Sequence, residues 1–109
     1  MAKPIAGDVV VLPFPQTNLR PGERRTALVV VDLPGDDLIL CQITSQAHRD
    51  SNSVSVDAND FQSGRLSIGS NIRPNRLFTV EQSVVLYSAG RLTRVKLDET
   101  LAKLRQLFS

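Results

Sequence analysis

Apolar residues fall in short runs separated by polar, bend-prone stretches, and only the last part of the chain takes up a helical period. Asp8 to Phe14, with four consecutive aliphatics at Val9-Val10-Val11-Leu12, reads as a strand. Pro13 and Pro15 end its ladder, because proline has no N–H to donate. Residues 16–24 form a loop with Pro21-Gly22 as its turn signal. Residues 26–32 are a continuous, largely β-branched run, as expected of a strand buried on both faces. Across the turn Pro34-Gly35-Asp36-Asp37, Leu38 to Thr44 supplies its hairpin partner.

Residues 45–53 are polar and loop-like. Val54 and Val56 alternate with Ser53, Ser55 and Asp57 as in a half-exposed strand, and Asp57 to Phe61 reads as a short helical turn. Leu66 to Ile72 (interrupted by Gly69), Arg76 to Val80 and Val84 to Ala89 read as three further strands, the last two joined by Glu81-Gln82-Ser83. Leu97, Leu101, Leu104 and Phe108 then recur at helical spacing, with Thr93 as N-cap. Glu99 and Lys103 stand four apart, placed to pair on the exposed face. Many short strands followed by one helix predict a mainly β fold: a small, strongly bent barrel carrying a C-terminal helix at about 94–108. A single domain over 1–109 is expected from the length.

Composition narrows the function classes. The net charge is +2, a mild bias toward anionic partners and far from a polybasic chain. One cysteine and one histidine allow neither an intramolecular disulfide nor an ordinary four-ligand zinc site. No metal and no cofactor is therefore expected, and a reducing, cytoplasmic setting fits. No apolar run reaches the length of a membrane span, and the N-terminus lacks the apolar core of a signal peptide. With no Trp and one Tyr, stacking surfaces are scarce: Phe14, Phe61, Phe78, Tyr87 and Phe108 are the whole aromatic set.

Candidate chemistry gathers where strands end. Arg24 and Arg25 stand where the 16–24 loop enters the second strand. Adjacent arginines in a loop are ordinarily solvated cations. At a barrel mouth, however, a guanidinium makes two parallel hydrogen bonds to phosphate oxygens. Strand alternation lets only one of the two face a given site. Thr44, Ser45 and Gln46 close the third strand. Threonine there is ordinarily only a good β-former, but this hydroxyl adjoins the start of its hairpin partner. His48 is a general base by type, yet it lies in a polar loop between Ala47 and Arg49, where exposure is expected. Asp8 after Gly7 suits a turn better than acid–base work. Asp36, Asp37, Asp57 and Asp60 sit in turns without a metal-binding arrangement. Ser70 to Arg76 adds the cations Arg73 and Arg76, either as surface loop or as support for a nucleic-acid backbone.

Taken in order, the short motifs resemble the MazF/PemK family of toxin–antitoxin endoribonucleases. They are Gly7-Asp8-Val9-Val10, Arg25-Thr26-Ala27-Leu28-Val29, Ile43-Thr44-Ser45-Gln46, Ser70-Asn71-Ile72-Arg73-Pro74 with Leu77-Phe78-Thr79, and Gly90-Arg91-Leu92 before an amphipathic helix. Thr26 departs from the pattern, which has proline there. The resemblance implies an SH3-like barrel of the MazF/PemK/CcdB toxin type that dimerises, pairs with an antitoxin protein and cuts single-stranded RNA without a metal. It implies catalytic roles for Arg25 and Thr44. Arg24, Asp8 and Gln46 are weaker candidates, and Arg20, Arg24, Ser45, Gln46, Arg73 and Arg76 are candidates for RNA binding. The attacking group would be the substrate's own ribose 2′-hydroxyl, so DNA would not be cut. The alternatives are a catalytically inactive member and a CcdB-like, gyrase-inhibiting toxin. The latter relies on a Trp-Gly-Ile end, where this sequence has Gln106-Leu107-Phe108-Ser109.

Overall fold

The structure is a computed structural model that describes residues 3–13, 24–45, 51–66 and 69–109. Seven strands form one antiparallel sheet: β1 (Asp8–Pro13), β2 (Arg24–Asp32), β3 (Asp37–Ser45), β4 (Val54–Val56), β5 (Phe61–Gly64), β6 (Ser70–Glu81) and β7 (Tyr87–Leu92). Their spatial order is β4-β6-β3-β2-β1-β7-β5. Helix α1 (Arg94–Phe108) follows. Four of the six strand pairings carry a register shift. Each shift bends its strand, and together they curl the sheet into an SH3-like half-barrel.

Strands β1, β2 and β3 are buried on both faces, as the continuous apolar run over 26–32 predicts. One cluster takes Val9, Leu28, Val30, Cys41 and Ile43 and packs against Leu97 and Leu104 of α1, together with Val54, Val56 and Ile72. A second takes Val10, Leu12, Ala27, Val29, Leu38 and Leu40 with Val85. Period-2 alternation thus sends successive residues of one strand into two separate cores. The predicted 26–32/38–44 hairpin forms, with Thr26 opposite Ile43 and Asp32 opposite Leu38.

The second half of the chain differs from expectation in several places. Strand pairing there begins at Ser70 and not at Leu66, and the segments expected as two strands are one twelve-residue strand, β6. Gln42 faces Arg73 but Cys41 faces Leu77, so Pro74, Asn75 and Arg76 have no β3 partner. This extrusion is where proline fits, since no ladder bond is asked of it. Residues 82–84 form a 3₁₀ turn and Val85 enters the core, which delays β7 to Tyr87. Strand β5 carries no period-2 apolar signal and was not anticipated. It approaches β7 so closely that a Cβ at Gly64 (φ +70°) would lie 2.2 Å from the Ala89 carbonyl oxygen.

The expected helical turn is present, with Asp57 and Asp60 in a reciprocal capping box. Thr93 caps α1 through the Lys96 amide at 3.3 Å. Glu99 pairs with Lys96 (2.9 Å) and not with Lys103, whose ammonium instead reaches the Ser51 carbonyl. Phe108 ends the apolar stripe without being buried: it is 76% exposed at the helix terminus.

Two stability outcomes follow from this packing. Gly64→Ala should destabilise the fold by about 1–3 kcal/mol through backbone clash and a left-handed φ, read as a fall in urea midpoint. Burial pushes the Cys41 thiol up from 9.0 to about 12. Between those values the unfolded chain releases a proton that the folded chain keeps, so stability falls as pH rises through that window. Cys41→Val should flatten the decline, seen by urea unfolding at about pH 8 and about pH 10.5; an unchanged slope would contradict the assignment.

Candidate active site

At the end of the sheet where β2 begins and β3 ends, a cleft of about 590 Å³ opens. Its lining includes Arg24, Arg25 and Thr26 from β2, Gln42, Thr44 and Ser45 from β3, Arg73 and Arg76 from β6, and Val11 and Tyr87. Among the described residues, four arginines and no carboxylate line this space.

Each position has a local cause. Leu12 faces Arg25 in the β1–β2 ladder, and Thr26 faces Ile43 in the β2–β3 ladder. Continued by one residue, that register sets Arg25 across from Thr44, and cross-strand neighbours of this kind have Cβ atoms about 5 Å apart. The cation and the hydroxyl that the sequence singled out therefore stand side by side on adjacent strands. Thr26 leaves β2 in register with both neighbours, so the ladder fixes Arg25 without a proline. Arg73 reaches the cleft because Gln42 pairs with it, and Arg76 because the extrusion at Pro74 turns β6.

Thr44 Oγ1 is shielded from solvent and has no hydrogen-bond partner among the described residues. A buried hydroxyl left so costs about 1–3 kcal/mol. Placed beside converging cations, it is prepared to meet an oxygen of a ligand. Asn71, opposite Thr44 on β6 and almost fully buried, donates to the Ser45 carbonyl at 3.3 Å and braces the end of β3.

Of the expected site residues, Arg24, Arg25, Thr44, Ser45, Arg73 and Arg76 share the cleft. Arg20, Gln46 and His48 lie outside the described residues. Both arginines of the adjacent pair line the space, against the expectation that alternation would admit one. Arg24 is the first residue of β2, where the pleat no longer constrains it on its N-terminal side, and Arg25 Nη1 donates to the Arg24 carbonyl at 3.1 Å.

Asp8 is not in the cleft. It is buried at the far end of β1, accepting from the Ile5 amide (2.9 Å) and from Arg91 Nε (2.8 Å). That hydrogen bond, with the charge of Asp8, raises the Arg91 pKa. Asp8 therefore anchors a turn. Gln42 and Tyr87 were not anticipated. Gln42 stands one residue before the Ile43-Thr44-Ser45-Gln46 motif, and Tyr87 lies more than forty residues beyond it in the sequence.

Charge is segregated along these strands. The cleft end carries four arginines, while the opposite end carries Asp32, Asp36, Asp37 and Glu81, the last two paired across β3 and β6. The acidic end also holds Lys3, whose ammonium donates to the Leu33 and Gly35 carbonyls, so among the described residues the cleft end is the more cationic of the two. Among the described residues, no group of three His, Cys, Asp or Glu is placed to hold a metal ion, and no helix is long and apolar enough to cross a membrane.

The family profile described as PemK-like, MazF-like toxin of type II toxin-antitoxin system matches residues 5–108. The chain belongs to this family. Solved structures agree on the fold. A MazE–MazF structure from Deinococcus radiodurans superposes with TM-score 0.78 at 21% identity, covering 100% of this chain and 98% of that one. MazF from the same organism gives 0.76 at 23%, covering 99% and 98%. An endoribonuclease from a mycobacterial species, in complex with its cognate antitoxin, gives 0.75 at 12%, covering 99% and 95%. No curated protein sequence matches this PemK/MazF-like chain.

The turn-anchoring role of Asp8 has its own outcome. Asp8→Asn should lower the melting temperature by several degrees while the cleft keeps its affinity for inorganic polyphosphate. Loss of that affinity with an unchanged melting temperature would return Asp8 to the site.

Proposed function

We propose that this PemK/MazF-like protein is a metal-independent endoribonuclease toxin that cleaves single-stranded RNA by in-line attack of a ribose 2′-hydroxyl on the adjacent phosphorus. The observation that carries the proposal is that Arg25 lines one cleft with Thr44, whose hydroxyl is buried without a hydrogen-bond partner among the described residues, and with Arg24, Arg73 and Arg76. The 2′-oxygen forms a bond to phosphorus and releases its proton to water. The P–O5′ bond breaks, and the 5′-oxygen takes up a proton. The products are a 2′,3′-cyclic phosphate and a 5′-hydroxyl. Arg25 stabilises the charge that builds on the phosphorane, Thr44 donates to a non-bridging phosphate oxygen, and Arg24, Arg73 and Arg76 hold the flanking backbone. Catalysis by positioning and fixed charge suits a lining that, among the described residues, offers donors and no carboxylate.

The partner in this proposal is an antitoxin whose acidic side chains fill the cleft, as expected of the family's toxin–antitoxin pairing. A homodimer and a cytoplasmic setting complete the reading.

Incubation with single-stranded RNA in EDTA, with mapping of the ends, should yield cyclic phosphate and 5′-hydroxyl termini. Substituting deoxyribose at the cut nucleotide should block cleavage. Arg25→Ala should lower the rate about 100- to 1,000-fold and Thr44→Ala about tenfold or more, with little change in melting temperature. Ends bearing a 3′-hydroxyl, or cleavage unaltered in both variants, would refute the mechanism.

A further inference from the structure

Tyr87 occupies a place that neither the motifs nor the proposed chemistry uses. It is the first residue of β7 and lies opposite Val11 of β1, which is itself opposite Thr26 of β2 and through it Ile43 of β3. One register row therefore crosses four strands from Tyr87 to the edge of the catalytic pair. With strands spaced about 4.8 Å apart, the tyrosine stands roughly 10 Å from the β2 arginines, on the far wall of the same cleft. Val11, its cross-strand neighbour in the same lining, is 6% exposed, while Tyr87 is 47% exposed. A half-exposed ring in the lining of this cleft is an apolar surface that shares the space with four arginines.

The other described aromatics are not available. Phe61 packs against the helix-side core and Phe78 against the second core. Phe108 ends α1 and does not line the cleft. Among the described residues, Tyr87 is the one aromatic in the lining.

We infer that Tyr87 is a stacking platform for a base neighbouring the scissile phosphate, so that backbone charge and base stacking are read on opposite walls of one cleft. This rests on the endoribonuclease proposal and adds to it a positioning residue and a preference for an unpaired base. Phosphate contacts alone hold any polyanion. A stacked base fixes where along the strand the phosphate sits, and it requires that the base be free of a duplex.

The sequence supplies its own probe: with one Tyr and no Trp, the intrinsic ultraviolet emission of this protein is that of Tyr87. The chain is titrated with an uncleavable 2′-O-methyl RNA oligonucleotide and, separately, with inorganic polyphosphate, correcting for absorption by the bases. Binding is followed in parallel by mobility shift. The RNA should quench the emission by about half or more, and polyphosphate should bind without quenching. Tyr87→Ala should raise KM for single-stranded RNA about tenfold with kcat little changed, and Tyr87→Phe should restore KM, because stacking needs the ring and not the hydroxyl. Bound RNA that leaves the emission unchanged, or Tyr87→Ala with the wild-type KM, overturns the inference while leaving the nuclease proposal standing. RNA that does not bind the wild-type chain at all removes the nuclease proposal, and this inference with it.

Discussion

The two-sided ladder that holds β2 between β1 and β3 is the constraint on which everything else rests. A strand paired on both edges cannot slip, because a one-residue shift would send Leu28 and Val30 into the core meant for Ala27 and Val29. That penalty is what aims Arg25. A guanidinium on a flexible loop would sample many directions, whereas one at the second residue of a double-paired strand starts from a fixed backbone. The same ladder carries Thr44 to its side. Hydrophobic sorting between two cores thereby sets polar geometry at the ends of the same strands.

Irregularity does as much for the site as regularity. The extrusion of Pro74, Asn75 and Arg76 from the β3–β6 pairing lets a single strand deliver two arginines to one cleft. In an unbroken strand, residues three apart would point to opposite faces. Proline is the residue type that tolerates such a place, since its missing N–H leaves no orphan donor. The full burial of Pro74 shows that the extrusion is packed into the fold.

Charge placement adds a second layer. The strands run from an arginine-rich end to an acidic one, so a net charge of +2 hides a strong local asymmetry. The modest overall figure suggests a weak anion binder, but among the described residues the cleft lining carries four cations and no carboxylate. The chain thus presents a locally cationic cleft while remaining nearly neutral as a whole.

The family resemblance singled out Arg25 and Thr44 as the chemistry to look for, and the sequence by itself determined the strand-rich class, the 26–32/38–44 hairpin and the capped terminal helix. Those features depend on local periodicity, capping and turn residues, all of which act between near neighbours. Only the tertiary structure decided that Arg24 joins Arg25 in the cleft, that Arg91 is the partner of Asp8, that β5 exists, and that Gln42 and Tyr87 line the same space as residues far away in the chain. Each of these is fixed by strand order and register shifts, which depend on how seven strands curl around two cores. No local pattern records that curl: the extrusion at Pro74 and the close crossing at Gly64 are settled by what lies across the sheet from them.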